Sequence, residues 1–430
     1  MSSTLECLTD WMTRQRWYSG KGHVPKLRVL SSSEFPSSDP TAKIVTHLVM
    51  DDAGDVPTLY QVPVVERDTV PRGAGPYFIG RNDDGVYLFD GPHDPVYALA
   101  LLLAVAPDVD GVTGSAVMKG EQSNTSIVYD IDGSPTIICK VFRALHHGEN
   151  PDVTLQVALS TAGSPYVPRF VGFLSDDWED VGQASGRAHG NLAFAQEFLS
   201  EVEDGWKLAL RSAASGESFS ALAGALGLAT AGVHSTLAEV MPTREATAGD
   251  TVSIVSEWHS RLAIAAREVP SIEAHRAEIE AVYDAAQHVT WPRLQRIHGD
   301  LHLGQALWVV GRGWVLVDFE GEPLRPMYER DRPDSSLRDV SGMLRSFDYA
   351  AGATEGWPVE WAATCRAAFL EGYATASGID LSTHQVLLDA FELDKAVYEA
   401  IYEARNRPTW IHIPVSGIEN LLSRESSVSS

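Results

Sequence analysis

The sequence predicts an α+β fold, with a small mixed domain first, a β-containing unit next and a mainly helical part last. Three observations carry this reading. Short β-like runs dominate the first 200 residues, and amphipathic helical patterns dominate the rest. One apolar strand, 136–142, holds a single lysine, Lys140. Far downstream, Ile297-His298-Gly299-Asp300-Leu301-His302-Leu303-Gly304-Gln305 places an acid in a glycine-flanked turn, and Val315-Leu316-Val317-Asp318 ends an apolar strand on a second acid. A chain of 430 residues is longer than one core usually serves. The expected divisions are 1–108, 109–200 and 201–422, with a serine-rich disordered tail over 423–430.

In the first domain, 5–17 reads as a helix with Leu5, Leu8, Trp11 and Met12 on one face. Four β-like runs follow at 26–30, 42–50, 58–65 and 85–90, separated by Asp/Gly/Asn turns. Arg16-Trp17-Tyr18-Ser19-Gly20-Lys21 reads as a surface corner packed over Trp17, with ligand contact the lesser reading. Asp94 as cap and Pro95 at the first position open an apolar helix to 106.

In the second division, Gly120-Glu121-Gln122-Ser123-Asn124-Thr125-Ser126 precedes the strand at 127–129. Such a small, polar loop suits phosphate oxygens, which backbone N–H groups and hydroxyls can bind without bringing charge. Lys140 needs an anionic partner if buried, and nucleotide phosphates supply that reason. Asn150 and Pro151 open a helix over 153–161 that offers Glu149 or Asp152 as the acid beside Lys140. The strand 193–199 is where a two-lobed chain would cross, with backbone groups at Gln196, Glu197 and Phe198 placed for an adenine base.

Helical patterns then cover the segment after Ser218, with Leu222, Leu226, Ala229, Val233 and Leu237 in one stripe and His234 beside it without a role. Further helices are expected at 251–266, 272–288, 338–348, 361–374 and 381–405. Within them sits the acidic turn. Mg²⁺ prefers hard oxygen ligands and takes only one or two from a protein, which fits Gln305 and Asp318. Phosphoryl transfer also wants a carboxylate at the acceptor hydroxyl, which fits Asp300, kept ionised by the neighbouring metal. His298 and His302 are expected to bond the turn rather than the metal. The acceptor wall is expected on the helix through Tyr398, Glu399, Tyr402 and Glu403, followed by Arg407 and a stacking platform at Trp410. Glu399 and Glu403 lie four apart and repel unless a cation or sugar hydroxyls satisfy them. The competing reading has Arg405 and Arg407 neutralise those acids and Trp410 buried.

Composition narrows the partners. With 33 basic against 58 acidic residues the formal charge is −25, which argues against nucleic-acid or anionic-membrane surfaces. Three scattered cysteines, Cys7, Cys139 and Cys365, make no disulfide framework, and neither a signal peptide nor a membrane span is legible. A cytoplasmic monomer or weak homodimer acting on a small molecule is the expectation.

Taken in order, several blocks resemble the maltokinase-like branch of the aminoglycoside-phosphotransferase superfamily, which includes actinobacterial maltokinases and glucosamine kinases. They are the 120–126 loop, Lys140-Val141-Phe142-Arg143, Asn150-Pro151-Asp152, Gln196-Glu197-Phe198-Leu199, the 298–305 turn, Asp318-Phe319-Glu320-Gly321-Glu322-Pro323, Leu337-Arg338-Asp339-Val340 and Tyr402 through Trp410. The resemblance implies a bilobal protein-kinase-like fold with an N-terminal cap, and Mg²⁺–ATP bound between lobes. It implies Asp300 as base, Gln305 and Asp318 as metal ligands, Lys140 as phosphate anchor, and 123–126 as phosphate cover. Thr154 stands where maltokinases commonly carry an acid. Trp308 and Leu155-Gln156 place the chain nearer the glucosamine kinases, so the expected product is glucosamine 6-phosphate. The alternatives are maltose 1-phosphate formation and, less favoured because each catalytic part has a candidate residue, a pseudokinase or nucleotide-binding regulator.

Overall fold

The computed structural model describes residues 3–428 other than 55, 74, 120–122, 181, 323, 324 and 326, and the side chains of 328 and 424–428 are likewise outside the description. The chain divides into two compact units. One comprises residues 1–154 and 168–200, and the other 155–167 and 201–430. The first unit holds residues 1–108 and most of 109–200, and residues 155–167 belong to the second.

The first unit opens with helix α1 (Thr4–Met12), which Ser3 and Glu6 close with a capping box. It stops at Thr13, short of the expected 17. Strands β1 (Leu27–Phe35), β2 (Ala42–Asp51), β3 (Thr58–Arg67), β4 (Phe78–Arg81) and β5 (Tyr87–Asp90) form an antiparallel sheet in the order β1-β2-β3-β5-β4. Helix α2 (Pro95–Val105) begins at Asp94, whose side chain accepts from the Val96 N–H. A second sheet runs β10-β11-β8-β7-β6, from β6 (Val112–Val117), β7 (Asn124–Ile131), β8 (Ser134–Phe142), β10 (Phe170–Glu179) and β11 (Arg187–Glu197). Strand β9 (Ala144–Leu145) leaves β8 and pairs with β3, so the second sheet's chain is stitched into the first sheet. Helix α3 (Pro151–Thr161) follows.

A buried ion pair reinforces that seam. Arg143 is fully buried and donates to Asp90 at 2.9 and 3.2 Å and to the Thr125 hydroxyl at 2.8 Å. Its guanidinium lies 4.9 Å from the Trp17 ring centroid. Trp17 is thus packed beneath the 16–21 corner, against Trp11 and Tyr60. Asp90→Ala would leave Arg143 charged and unpaired in the interior, a loss expected to cost about 3–5 kcal/mol. A thermal or urea midpoint matching the unmodified protein would contradict this.

The second unit is mainly helical: α4 (Gly205–Ser215), α5 (Ser220–Val240), α6 (Ala248–Glu268), α7 (Pro270–Ala274), α8 (Arg276–Gln287), α9 (Met327–Arg330), α10 (Leu337–Gly352), α11 (Val359–Ser377), α12 (Gln385–Asn406) and α13 (His412–Val428). One small antiparallel sheet, β12 (Val202–Asp204), β13 (Ala306–Val309) and β14 (Gly313–Leu316), flanks the acidic turn. Helix α5 is long and apolar enough to cross a bilayer by composition. It serves instead as a core helix, because Leu226, Ala229, Val233 and Leu237 are buried in the same cluster as Phe369 and Tyr373 of α11. Helix α13 is described as far as Val428, within the serine-rich stretch that begins at 423.

Candidate active site

Each unit contributes its own set of chemistry-bearing residues. In the first, Lys140 lies near the end of β8, and its ammonium donates to Asp152 Oδ2 at 2.7 Å. Asp152 is in the first turn of α3 and is buried. Of the two acids the sequence offered, Asp152 therefore holds the lysine. Glu149 instead lies 3.5 Å from His189 on the surface.

The expected phosphate loop is rearranged. Gln122 lies outside the described residues, and Ser123 is exposed. Asn124, Thr125 and Ser126 belong to strand β7, where alternate residues face opposite sides. Ser126 is directly opposite Lys140 and shares its face. Thr125 faces the other way and is taken by Arg143, so its hydroxyl is part of the interior rather than of a phosphate cover. A strand period of two predicts this split, but only once the strand is known to begin at Asn124. At the end of β11, the Glu197 N–H donates to Arg169 O and the Phe198 N–H to Thr136 O, both at 2.8 Å. These two donors are engaged by neighbouring chain, and any base contact from 196–198 has to use other groups.

In the second unit the acidic turn is built on α10. Gly299 has φ +84°, a conformation that favours glycine and sets the sharp approach to Asp300. The N–H groups of His298 and Gly299 donate to the two oxygens of Asp339, each at 2.8 Å. The Leu303 N–H donates to Ser346 Oγ at 3.0 Å. Gly342 of α10 permits the close packing, since a Cβ there would meet Leu301 O at 2.6 Å. Asp339 is buried and also accepts from His234 Nε2 at 2.9 Å, while Tyr373 O–H is 3.0 Å from His234 Nδ1. Burial opposes the Asp339 charge, yet the His234 bond and the backbone donors outweigh it and hold its carboxyl below the usual range. His234, without a role in the sequence reading, is thus a support of the turn.

The two histidines in the turn bond locally. His298 Nε2 donates to Val317 O at 3.0 Å, and its Nδ1 accepts from the Asp300 N–H at 3.4 Å. His302 Nδ1 accepts from the Gly304 N–H at 3.0 Å, and burial lowers its pKa from the ordinary imidazole value.

Asp300 Oδ1 accepts from the ammonium of Lys395 on α12 at 3.0 Å. The same ammonium donates to Glu322 Oε1 at 2.7 Å. Burial would favour neutral forms of Lys395 and Glu322. Their mutual attraction, with Asp300 on the lysine and Arg325 and Arg261 on the glutamate, prevails and keeps both charged. Lys395 is the residue the sequence reading missed. Its only advance signal was a lone cation in the apolar stripe of a long helix, 95 positions from its partner.

Gln305 and Asp318 come together as expected, with the Gln305 amide nitrogen donating to Asp318 Oδ2 at 3.0 Å. Asp318 has φ +67°, a left-handed conformation rare outside glycine, and such strain clusters at functional sites. A half-turn of the amide would present oxygen in place of nitrogen. A carboxylate and an amide oxygen side by side form a hard donor set that fits Mg²⁺ and leaves its remaining positions to water or phosphate.

A cavity of 210 Å³ is lined by Trp206, His302, Tyr349, Lys395, Tyr398, Glu399, Tyr402, Glu403 and Arg407, among others. Tyr402, Glu403 and Arg407 were expected here. Trp410 does not line the cavity; it packs under Arg407, whose guanidinium is 4.7 Å from its ring centroid. Arg407 clamps both Glu403 oxygens, at 2.5 and 3.0 Å, as the competing sequence reading held. Arg405 does not take part and instead bonds Glu268 on the surface. Glu399 is held by Arg345 of α10, from Nε at 3.0 Å and Nη2 at 2.9 Å.

Comparison with known proteins agrees with this layout. Residues 11–94 match the family described as the maltokinase N-terminal cap domain, and residues 154–327 match the phosphotransferase enzyme family. A glucosamine kinase of Streptacidiphilus jiangxiensis is 29% identical over 369 residues, covering 77% of this chain and 81% of the relative. A glucosamine kinase of Mycolicibacterium smegmatis is 27% identical over 338 residues, covering 73% and 81%. A solved glucosamine kinase in complex with glucosamine, ADP and inorganic phosphate superposes with a TM-score of 0.70 at 22% identity, covering 96% of this chain and 99% of that one. The fold is therefore α+β, with a cap and a kinase-like core.

Proposed function

We propose that the chain is a member of the maltokinase-like branch of the aminoglycoside phosphotransferases and transfers the γ-phosphoryl group of ATP to the 6-hydroxyl of glucosamine. The observation that carries the reading is the Asp300 carboxylate, fixed in a glycine turn and gripped by Lys395, which itself lines the neighbouring cavity. That cavity, at 210 Å³, lies below the range of about 300–1,000 Å³ usual for larger ligands and suits one sugar ring. Relatives that match most of the chain are glucosamine kinases.

In the proposed reaction Lys140, steadied by Asp152, anchors nucleotide phosphates. Gln305 and Asp318 hold Mg²⁺, which neutralises charge on the phosphate oxygens when bound. Asp300 takes the proton of the acceptor hydroxyl as that oxygen bonds to phosphorus and ADP leaves. Lys395 leaves Asp300 one oxygen for this purpose and remains protonated throughout. The strapping of the turn to α10 keeps the carboxylate in place, and a positioned base of this kind contributes about 10²–10⁴-fold.

A maltose-phosphorylating reading is favoured by one observation, the match of residues 11–94 to the maltokinase cap. A panel of sugars assayed for ATP-dependent phosphorylation separates the two. Glucosamine is expected to give the largest kcat/KM, with the phosphate on its 6-hydroxyl. A larger value for maltose would replace this reading with the second, and no transfer to any sugar would reject both.

A further inference from the structure

The second unit holds another cavity, of 340 Å³, among α10, α11, α12 and α13. Its volume falls within the range of about 300–1,000 Å³ usual for small-molecule sites. None of its lining residues lines the acceptor cavity. Ala363, Ala367 and Leu370 of α11 give it an apolar wall. Trp357 also lines it, at φ +43°, a strained backbone for so bulky a residue, and such strain clusters at ligand clamps.

The charged part of its lining belongs to a buried relay. Glu392 accepts from Arg366 at 2.6 and 3.0 Å. Arg366 Nη1 also donates to Asp348 Oδ2 at 3.0 Å, and the same oxygen accepts from Arg345 Nη1 at 3.0 Å. The other two nitrogens of Arg345 hold Glu399, in the wall of the acceptor cavity. Gly417 leaves room for this arginine, since a Cβ there would collide with Nη1. The relay is unevenly exposed. The Asp348 side chain is 28% exposed, against 10% for Arg366 and 2% for Glu392. A ligand entering the cavity therefore meets a carboxylate first.

We infer that this second cavity is an effector site for a small organic cation, an ammonium on a short apolar stem. The ammonium hydrogen-bonds Asp348, and the stem packs on Trp357 and the alanines of α11. The site itself is independent of the reaction, and only its effect on turnover rests on the amino-sugar reading above. Arg345 is divided between Asp348 and Glu399. An ammonium on Asp348 offsets the charge that draws Nη1, so Arg345 pairs more completely with Glu399. The acceptor wall then loses negative charge, and its affinity for a cationic sugar falls. A neutral ligand of the same shape lacks this differential interaction and leaves the relay as it is.

The test titrates the full chain calorimetrically with phenethylammonium chloride and with 2-phenylethanol, its neutral counterpart. The ammonium is expected to bind about tenfold more tightly than the alcohol, the margin of a charge-assisted hydrogen bond. In turnover it should raise KM for glucosamine about fivefold and then level off, because both ligands can be bound at once. Ala367→Phe, at an exposed position of α11, fills the cavity and should abolish both the binding and the effect, with KM unchanged when no probe is present. Asp348→Asn leaves Arg345 on Glu399 and Arg366 on Glu392, and should bring the two probes to similar affinity. Probe binding that survives Ala367→Phe overturns the inference. So does a KM that climbs without limit, as competition at the acceptor cavity would make it, and so does binding that leaves KM unchanged. Absence of transfer to any sugar would fail the functional reading alone, since calorimetry on Ala367→Phe still decides whether this cavity takes the cation.

Discussion

Asp300→Asn is expected to lower kcat by about 10²–10⁴-fold while MgADP binding stays at its unmodified strength. The asparagine keeps the shape of the side chain and can still accept from Lys395, so the turn should hold. What disappears is the capacity to take a proton from the acceptor hydroxyl. Glu322 continues to balance Lys395, with its oxygen 2.7 Å from the ammonium, so the substitution strands no buried charge. Steady-state turnover with calorimetry of ADP in parallel reads both halves of the expectation. Turnover near that of the unmodified protein would mean that Asp300 is not the base.

Asp339→Ala should act on the same turn from behind and damage stability as well as rate. The carboxylate accepts from two backbone N–H groups and from His234, all in the interior. Removing it leaves three donors without acceptors, each costing about 1–3 kcal/mol. Some relaxation will reduce the sum, and a net loss of about 3–5 kcal/mol is expected. The pH dependence has a definite sign. The folded-state carboxyl lies below its ordinary value of 3.8, so its contribution is complete above that value and is lost as pH falls through the folded-state value. Urea unfolding of the unmodified protein and the variant should therefore diverge at neutral pH and converge in acid. Asp339→Asn, which retains one acceptor oxygen, should fall between them. Curves that coincide at pH 7 would show that the turn is held by something else.

These two residues also mark how far the sequence could be read. The Asp300 turn was legible because all its chemistry is local: an acid, flanking glycine, and an amide five residues on, followed by a strand that ends on Asp318. Lys140 was legible because a single cation in an apolar strand needs an explanation. Lys395 was not, and Asp339 stood only in the Leu337–Val340 block, without a role. Each lies on a helix whose own pattern is satisfied without them, and each meets the turn only after α10 and α12 pack beside it. The partner of Lys140 was narrowed to two acids and no further, because the choice depends on how the first turn of α3 sits against β8.

The acceptor wall shows the same limit. Helical spacing put Glu399 and Glu403 on one face and Trp410 after a helix stop. Spacing cannot say which arginine reaches which acid. Arg345, 54 positions from Glu399, bonds it, and the Arg407 guanidinium lies 4.7 Å from the Trp410 ring centroid. The phosphate loop shows the converse case, where a polar stretch that reads as loop begins a strand at Asn124 and turns Thr125 inward to Arg143.

The sequence by itself determined the α+β class, the order of its parts, and the acids, amide and lysine that could carry phosphoryl transfer, since periodicity and local turn chemistry act over a few residues. Tertiary structure alone decided which charges cancel and which stay open. An ion pair forms between side chains that distant elements bring within about 3 Å, and Coulombic attraction at that range outweighs any preference written in the neighbouring sequence.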